Sequence, residues 1–271
     1  MKEGDITQDR QQPLACLAEK LAAAWRDKAI IDQPQASELP MNRAEAYFVQ
    51  DQMAKSIGLG LTGWKVGATS SRMRELDGHD DVIPGRIFES VCWQGTQMSL
   101  DAKRFPGARA ETEFAFRLLR DLPIRSKPWT ADDLVDGLSF HPAVEIIGNR
   151  HSLPEAPASI RSLMTIADNG GGIGFVFGDA VEHCQNVDFK KHIIDLRVDG
   201  GPAAENFLGD MRCQPVQAVA DLANHLNQRG FELFAGDFVS TGAATVPQPI
   251  QLGSHLVADF GVLGSISLTF E

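Results

Sequence analysis

The sequence predicts an α+β chain that starts helical and continues mainly as β structure, on three observations. Apolar residues recur at helical spacing before residue 60, a strict two-residue alternation runs from Arg109 to Phe116, and glycine-bearing turns separate short β-branched and aromatic runs towards the end. No low-complexity linker divides the chain. Its 271 residues therefore read as one domain (1–271) whose residues 1–60 are a mainly helical N-terminal portion, and a hydrophobic fraction of 43% supports a large core.

After a polar, frayed start from Met1 to Gln12, Leu14, Leu17, Ala18, Leu21, Ala22 and Trp25 form the apolar stripe of a first helix. Asn42, with Glu45 three residues on, caps a second helix that carries Ala46, Val49, Met53 and Ile57 and stops at Gly58. Leu61 to Ser70 reads as a strand entering a capped turn or helix at Ser70, and Pro84 to Phe88 as a turn entering a short strand, with Trp93 packed beyond it. Thr130 and Asp133 form a capping box for a short helix ending at Gly137, before a strand over His141 to Ile147. Further strands are expected at Phe175 to Phe177, Ile193 to Val198, Asp237 to Thr241 and Leu256 to Phe270. One helix interrupts them, Pro215 to Arg229, stopped by Gly230.

Charge and composition exclude several classes of function. A formal charge of −11 argues against nucleic acid or an anionic membrane as the main partner, since both require a basic face. The start lacks the apolar core of a signal peptide and no run is long enough to span a bilayer, so a cytoplasmic protein is expected. Cys16, Cys92, Cys184 and Cys213 lack Cys-x-x-Cys spacing and read as buried thiols. The seven histidines form no ligand-spaced pair and read as mostly surface or capping residues. His-Glu-x-x-His, Gly-x-Ser-x-Gly and P-loop motifs are absent.

The chemistry is concentrated in two strands and a lysine. On a strand, Arg109, Glu111 and Glu113 share one face, with Ala110, Thr112, Phe114 and Phe116 buried on the other. Two carboxylates roughly 7 Å apart at the backbone can converge on one hard divalent cation, which removes their repulsion; a solvent-facing edge strand is the plain alternative. Glu145 stands among apolar residues, where an unpaired charge is costly. A cation shared with Glu111 and Glu113 would compensate it, as would a salt bridge to Arg109 or Arg150. Lys65 shares its strand face with Gly63 and Gly67, which clear space around the amine; desolvation there would lower its pKa and suit it to proton transfer, whereas an edge-strand lysine would only discourage aggregation. The run Ile166 to Gly174 lacks the third glycine of a dinucleotide fingerprint. It reads as a plain turn or as a loop whose amides could bind a carboxylate.

Taken in order, Gly63-Trp64-Lys65-Val66-Gly67, Arg109 to Glu113, Pro142-Ala143-Val144-Glu145, Ala167-Asp168-Asn169, and Gly236-Asp237 followed by Thr241-Gly242 resemble the fumarylacetoacetate hydrolase superfamily, and within it the 2-keto-4-pentenoate hydratase branch. The resemblance covers most of the chain from Asn42 onward. It implies a mixed β-roll with flanking helices forming a single catalytic domain, and Mg²⁺ or Mn²⁺ held by Glu111, Glu113 and Glu145. It also implies Lys65 as the catalytic proton carrier beside a small 2-oxo acid, with Arg109, Asn169, Gly170 and Thr241 among the substrate-binding residues, and a homo-oligomer. The implied reaction is addition of water to a 2-hydroxy-2,4-dienoate to give a 4-hydroxy-2-oxo acid, as in aromatic catabolism. Decarboxylation of a 2-oxo-3-enedioate, carbon–carbon hydrolysis of a β-diketone acid, and a catalytically silent partner subunit are the other readings. Two positions depart from the branch: Ile83-Pro84-Gly85 replaces a Pro-Asp-Phe-Gly-like turn, leaving Asp80 and Asp81 upstream, and Gly170-Gly171 stands where Ala-Ser is common.

Overall fold

A computed structural model describes residues 6–182 and 187–271; Cys184 lies outside the described residues. The chain runs α1 (Gln8–Asp27), α2 (Arg43–Ile57), β1 (Leu61–Gly67), α3 (Ser71–Asp77), β2 (Ile83–Phe88), β3 (Cys92–Gln94), β4 (Gln97–Leu100) and β5 (Arg109–Leu118). It continues through α4 (Ala131–Leu134), β6 (Leu138–Ile147), α5 (Ala158–Ala167), β7 (Gly172–Phe177), β8 (Asp195–Val198), α6 (Pro215–Gln228), β9 (Phe238–Ala243), β10 (Gln248–Pro249), β11 (His255–Asp259) and β12 (Ser265–Phe270).

The helical start follows from its stripe. Leu14, Leu17, Ala18, Leu21, Ala22 and Trp25 are all buried, in the same apolar cluster that reaches Phe270. Asn42 caps α2 by accepting from the Glu45 amide, and Gly58 ends it at φ 67. Glu45 is itself buried, and Arg10 compensates it from α1 at 2.7 Å.

One mixed sheet forms the body, in the order β2-β1-β9-β5-β6-β7-β3, with β10 beside β5. The β1–β9 and β3–β7 pairs are parallel, and the rest of its pairs are antiparallel. A second sheet, β4-β12-β11-β8, packs its apolar residues into the shared core. The body curls: Ile87, Ala115, Ala143, Phe175, Phe177 and Phe238, from strands spread across it, meet in a small apolar cluster of their own. Phe177 and Phe238 stack there with ring centroids 4.1 Å apart. This curled sheet with flanking helices is the mixed β-roll.

Several local expectations change. Pro84 and Gly85 lie within β2 rather than in a turn before it; β2 pairs only with β1, so the missing proline N–H costs no ladder bond on the open side. Leu256 to Phe270 is not one strand but a hairpin, turned through Gly261 and Gly264 at φ 60 and 99. Helix α5 was not anticipated: Pro157 provides no side-chain cap, and only Met164, Ile166 and Ala167 of its ten residues are buried. Cys16 is exposed and Cys92 half-buried; of the described cysteines Cys213 alone is buried. His141, His151 and His225 are buried rather than at the surface. Among the described residues no helix is long and apolar enough to cross a membrane.

Candidate metal centre and catalytic lysine

Strand register builds the acidic cluster. β5 pairs β6 with Glu111 directly opposite Glu145, so their side chains project on the same face. Glu113 follows on that face of β5, where its pairing with β9 shifts register between Glu113 and Ala115. The irregularity turns two donors inward: the Gly242 amide reaches Glu113 Oε2 at 2.9 Å, and the Ser240 hydroxyl donates to the same oxygen at 2.5 Å. One carboxylate oxygen from each of Glu111, Glu113 and Glu145 lies within 4.8 Å of the others. All three residues are buried, Glu145 to 1% exposure. Both faces of β5 are thus inside the protein, which removes the solvent-facing edge strand as an account of these glutamates.

Lys65 completes the group. β1 lies between β2 and β9, so the lysine is not on an edge strand, and its Nζ stands 3.4 Å from Glu145 Oε1. Burial opposes its charge, but Glu145, then Glu113 and Glu111, outweigh that cost and hold the pKa above the ordinary lysine value. The lowered pKa expected from the sequence is therefore reversed, because three carboxylates share the pocket that desolvates the amine.

The carboxylates show the opposite strain. Burial first, and Glu145 second, push Glu111 up to about 8, and the same causes raise Glu113 well above the usual carboxylate range. Glu145 Oε2 is buried without a hydrogen-bond partner, and Oε1 has only the ion pair with Lys65. One ammonium does not neutralise three carboxylates, and orphaned buried oxygens cost free energy unless a cation satisfies them. The cluster therefore fits a hard divalent cation: oxygen donors only, converging, and under-compensated. Gly172 makes room, since a Cβ there would lie 2.7 Å from Glu145 Oε1.

A cavity of about 170 Å³ opens against this group, walled by Lys65, Glu111, Glu113 and by residues of the segments 67–73, 207–213 and 242–243. Four residues marked in the sequence do not line it. Arg109 is exposed and donates to the Pro247 carbonyl at 2.6 Å. The Thr241 hydroxyl is buried and donates to the Phe114 carbonyl at 2.5 Å. Asn169, at φ 55, is committed to β2: its Oδ1 accepts from the Arg86 amide at 2.7 Å and its Nδ2 donates to the Arg86 carbonyl at 2.8 Å. Gly170, at φ 70, passes so close to Lys65 that a Cβ would sit 2.8 Å from Lys65 Cε, so it confines the lysine stem. Asp81 is paired with His225 Nδ1 at 3.0 Å, and neither it nor Asp80 is in the cavity wall. Sequence reasoning missed Ser240, Gly242, Gly172 and Cys213. Only the Thr241-Gly242 pair carried any signal, because the others matter through contacts between strands remote in sequence.

No family model matches the chain. A 2-oxo-hept-4-ene-1,7-dioate hydratase of Escherichia coli is 28% identical over 233 residues, 83% of this chain and 86% of that protein. A 2-keto-4-pentenoate hydratase of Burkholderia vietnamiensis is 28% identical over 230 residues, covering 83% and 85%. Among solved structures, the 4-oxalocrotonate decarboxylase of Pseudomonas putida G7 complexed with magnesium and adipate superposes with a TM-score of 0.84 at 23% identity, covering 98% of this chain and 100% of that one.

Proposed function

We propose that the chain, which is similar to a 2-oxo-hept-4-ene-1,7-dioate hydratase and a 2-keto-4-pentenoate hydratase, is a divalent-metal-dependent hydro-lyase. It adds water to a 2-hydroxy-2,4-dienoate and yields a 4-hydroxy-2-oxo acid. The observation that carries the reading is the convergence of Glu111, Glu113 and Glu145 on one point beside Lys65.

Glu111, Glu113 and Glu145 would hold magnesium or, in its place, manganese. Bound there, the cation supplies Lewis acidity towards the carboxylate and 2-oxygen of the substrate, favouring the enolate form. Ser240 and the Gly242 amide fix one oxygen of Glu113, so that ligand is oriented before substrate arrives. Lys65, with its Nζ 3.4 Å from Glu145 Oε1, enters the reaction as a proton donor, delivering its proton to the terminal carbon of the dienol. The enol hydroxyl proton leaves to solvent as the 2-oxo group forms; once neutral, Nζ accepts a proton from the water that adds at C4 and passes it to C3, and solvent re-protonates the lysine. Gly170 confines the lysine stem through these transfers. The same reading takes the whole chain as one catalytic domain, acting as a homo-oligomer in the cytoplasm; light scattering on the purified protein tests the assembly.

The deciding experiment is a substrate panel with magnesium: loss of the dienoate ultraviolet absorbance with formation of a 4-hydroxy-2-oxo acid supports the hydratase. Carbon dioxide release from a 2-oxo-3-enedioate, or cleavage of a β-diketone acid, would move the assignment to those reactions. Inactivity throughout would indicate a silent partner subunit.

A further inference from the structure

We propose that Asn169 is a positioning residue for Lys65: its side-chain amide seats the backbone of residues 169–170 on β2, where that backbone walls in the lysine stem and aims the amine. The inference rests on the hydratase reading above for the task of Lys65, and goes beyond it in assigning what holds the amine in place. Asn169 lies outside the cavity wall, so it acts through Lys65 and not on the substrate.

The wall is bare backbone. Lys65 is the register partner of Gly85 in the β1–β2 pair, so the two residues point to the same face of the sheet. A Cβ on Gly85 would lie 2.2 Å from the Asn169 carbonyl oxygen and 3.2 Å from Lys65 Cγ; the 169–170 peptide fills the place of a side chain there, beside the lysine. Gly170 continues the wall towards the amine, since a Cβ on it would lie 2.8 Å from Lys65 Cε and 3.4 Å from Nζ. Two glycines thus let the chain close on a stem whose tip stands 3.4 Å from Glu145 Oε1.

Asn169 holds that closure. β2 pairs only with β1, so backbone groups on its open side need other partners. The Asn169 side chain supplies both at Arg86, accepting from the amide at 2.7 Å and donating to the carbonyl at 2.8 Å, as a neighbouring strand would. Among the described residues these are the only hydrogen bonds between residues 169–170 and β2. Gln50 of α2 steadies the same frame, its Nε2 donating to the Pro84 carbonyl at 3.0 Å and to the Ile166 carbonyl at 2.8 Å. Asn169, Gly170 and Gly171 all stand in the left-handed region, at φ 55, 70 and 78, which asparagine tolerates without preferring. Removing the amide leaves packing alone to keep Gly170 against Lys65.

Asn169→Gly tests this, because it accepts the left-handed backbone and deletes both bonds. Two readouts are taken on the magnesium-loaded protein. One is acetylation of Lys65 by acetic anhydride at fixed pH, followed by peptide mass spectrometry against the exposed Lys191. The other is kcat and KM on 2-hydroxypenta-2,4-dienoate, with calorimetric magnesium titration beside it. Lys65 should become more readily acetylated, and kcat should fall roughly 10- to 100-fold, the scale of a displaced catalytic group. KM and magnesium affinity should stay within about twofold, since neither substrate nor metal touches Asn169. Unchanged Lys65 acetylation in the folded variant overturns the inference, as does unchanged kcat. A loss confined to KM also overturns it, making Asn169 a substrate-binding residue. If the parent turns over no dienoate while Lys65 acetylation still rises in the variant, the hydratase reading fails and the positioning stands. Should Asn169→Gly not fold, Asn169→Asp, which keeps the acceptor for the Arg86 amide and loses the Nδ2 donor, is read by the same outcomes.

Discussion

Lys65 Nζ and Glu145 Oε1 are 3.4 Å apart although two strands, β9 and β5, separate the strands that carry them. In a flat sheet three strand spacings of about 4.8 Å would put their backbones roughly 14 Å apart. The long side chains reach towards each other from the concave face, and the curl of the sheet closes the remainder. The charge pattern of the site is therefore a property of the curl.

The glutamates and the lysine should separate experimentally. Glu145→Gln or Glu113→Gln removes a charged oxygen while nearly preserving shape, so magnesium affinity should fall about tenfold or more, and added metal should restore part of the activity. Calorimetric titration with magnesium measures this directly. Unchanged affinity in both variants would remove these residues from the metal centre.

Lys65→Met retains the apolar stem and loses the amine. Magnesium should still bind, while kcat drops by roughly 10²-fold or more, the usual scale for a general acid or base. Full activity in this variant would refute the role given to the lysine.

Gly172→Ala tests the space that Glu145 requires. The added Cβ would meet Glu145 Oε1 at 2.7 Å and the Phe175 ring edge at 2.6 Å, so one of them must move. A stability loss of about 1–3 kcal/mol is expected, as for overpacking elsewhere, together with weaker magnesium binding. Denaturant unfolding and metal titration on the same sample check both parts; a change in neither would mean that the site relaxes freely.

Asp168 gives a pH dependence away from the glutamates. Burial raises its pKa from 3.8 to about 7, with the Arg150 charge and amide acting in the other direction. The folded state then binds a proton that the unfolded state releases, so the contribution to stability is complete below about pH 4 and is lost as pH rises through about 7. Asp168→Asn keeps an oxygen for the Arg150 amide and cannot ionise. Thermal unfolding between pH 5 and 8, a range chosen around that pKa, should show the parent losing stability relative to the variant as pH rises. Parallel curves would contradict the raised value.

The sequence by itself determined the local elements whose signals are local. The α1 stripe, the Asn42 and Ser70 caps, the Thr130–Asp133 capping box and the alternation from Arg109 to Phe116 all depend on residues within a few positions of one another, and each forms as its pattern dictates. The order of its motifs also pointed to the fold and to the glutamates. Tertiary structure alone decided what those residues experience. Which strand lies beside which made Lys65 interior rather than edge, and the three carboxylates made its pKa rise rather than fall. Asn169, Thr241 and Arg109 were legible as polar residues at marked positions. Whether a polar side chain faces a ligand or a backbone carbonyl depends on neighbours more than 80 residues away, and here each is held by a backbone group of a distant segment: Arg86 for Asn169, Phe114 for Thr241 and Pro247 for Arg109. Burial and pairing across a curled sheet are set by contacts that no local spacing encodes, and for that reason the residue types of the candidate site were readable in the chain while its electrostatics were not.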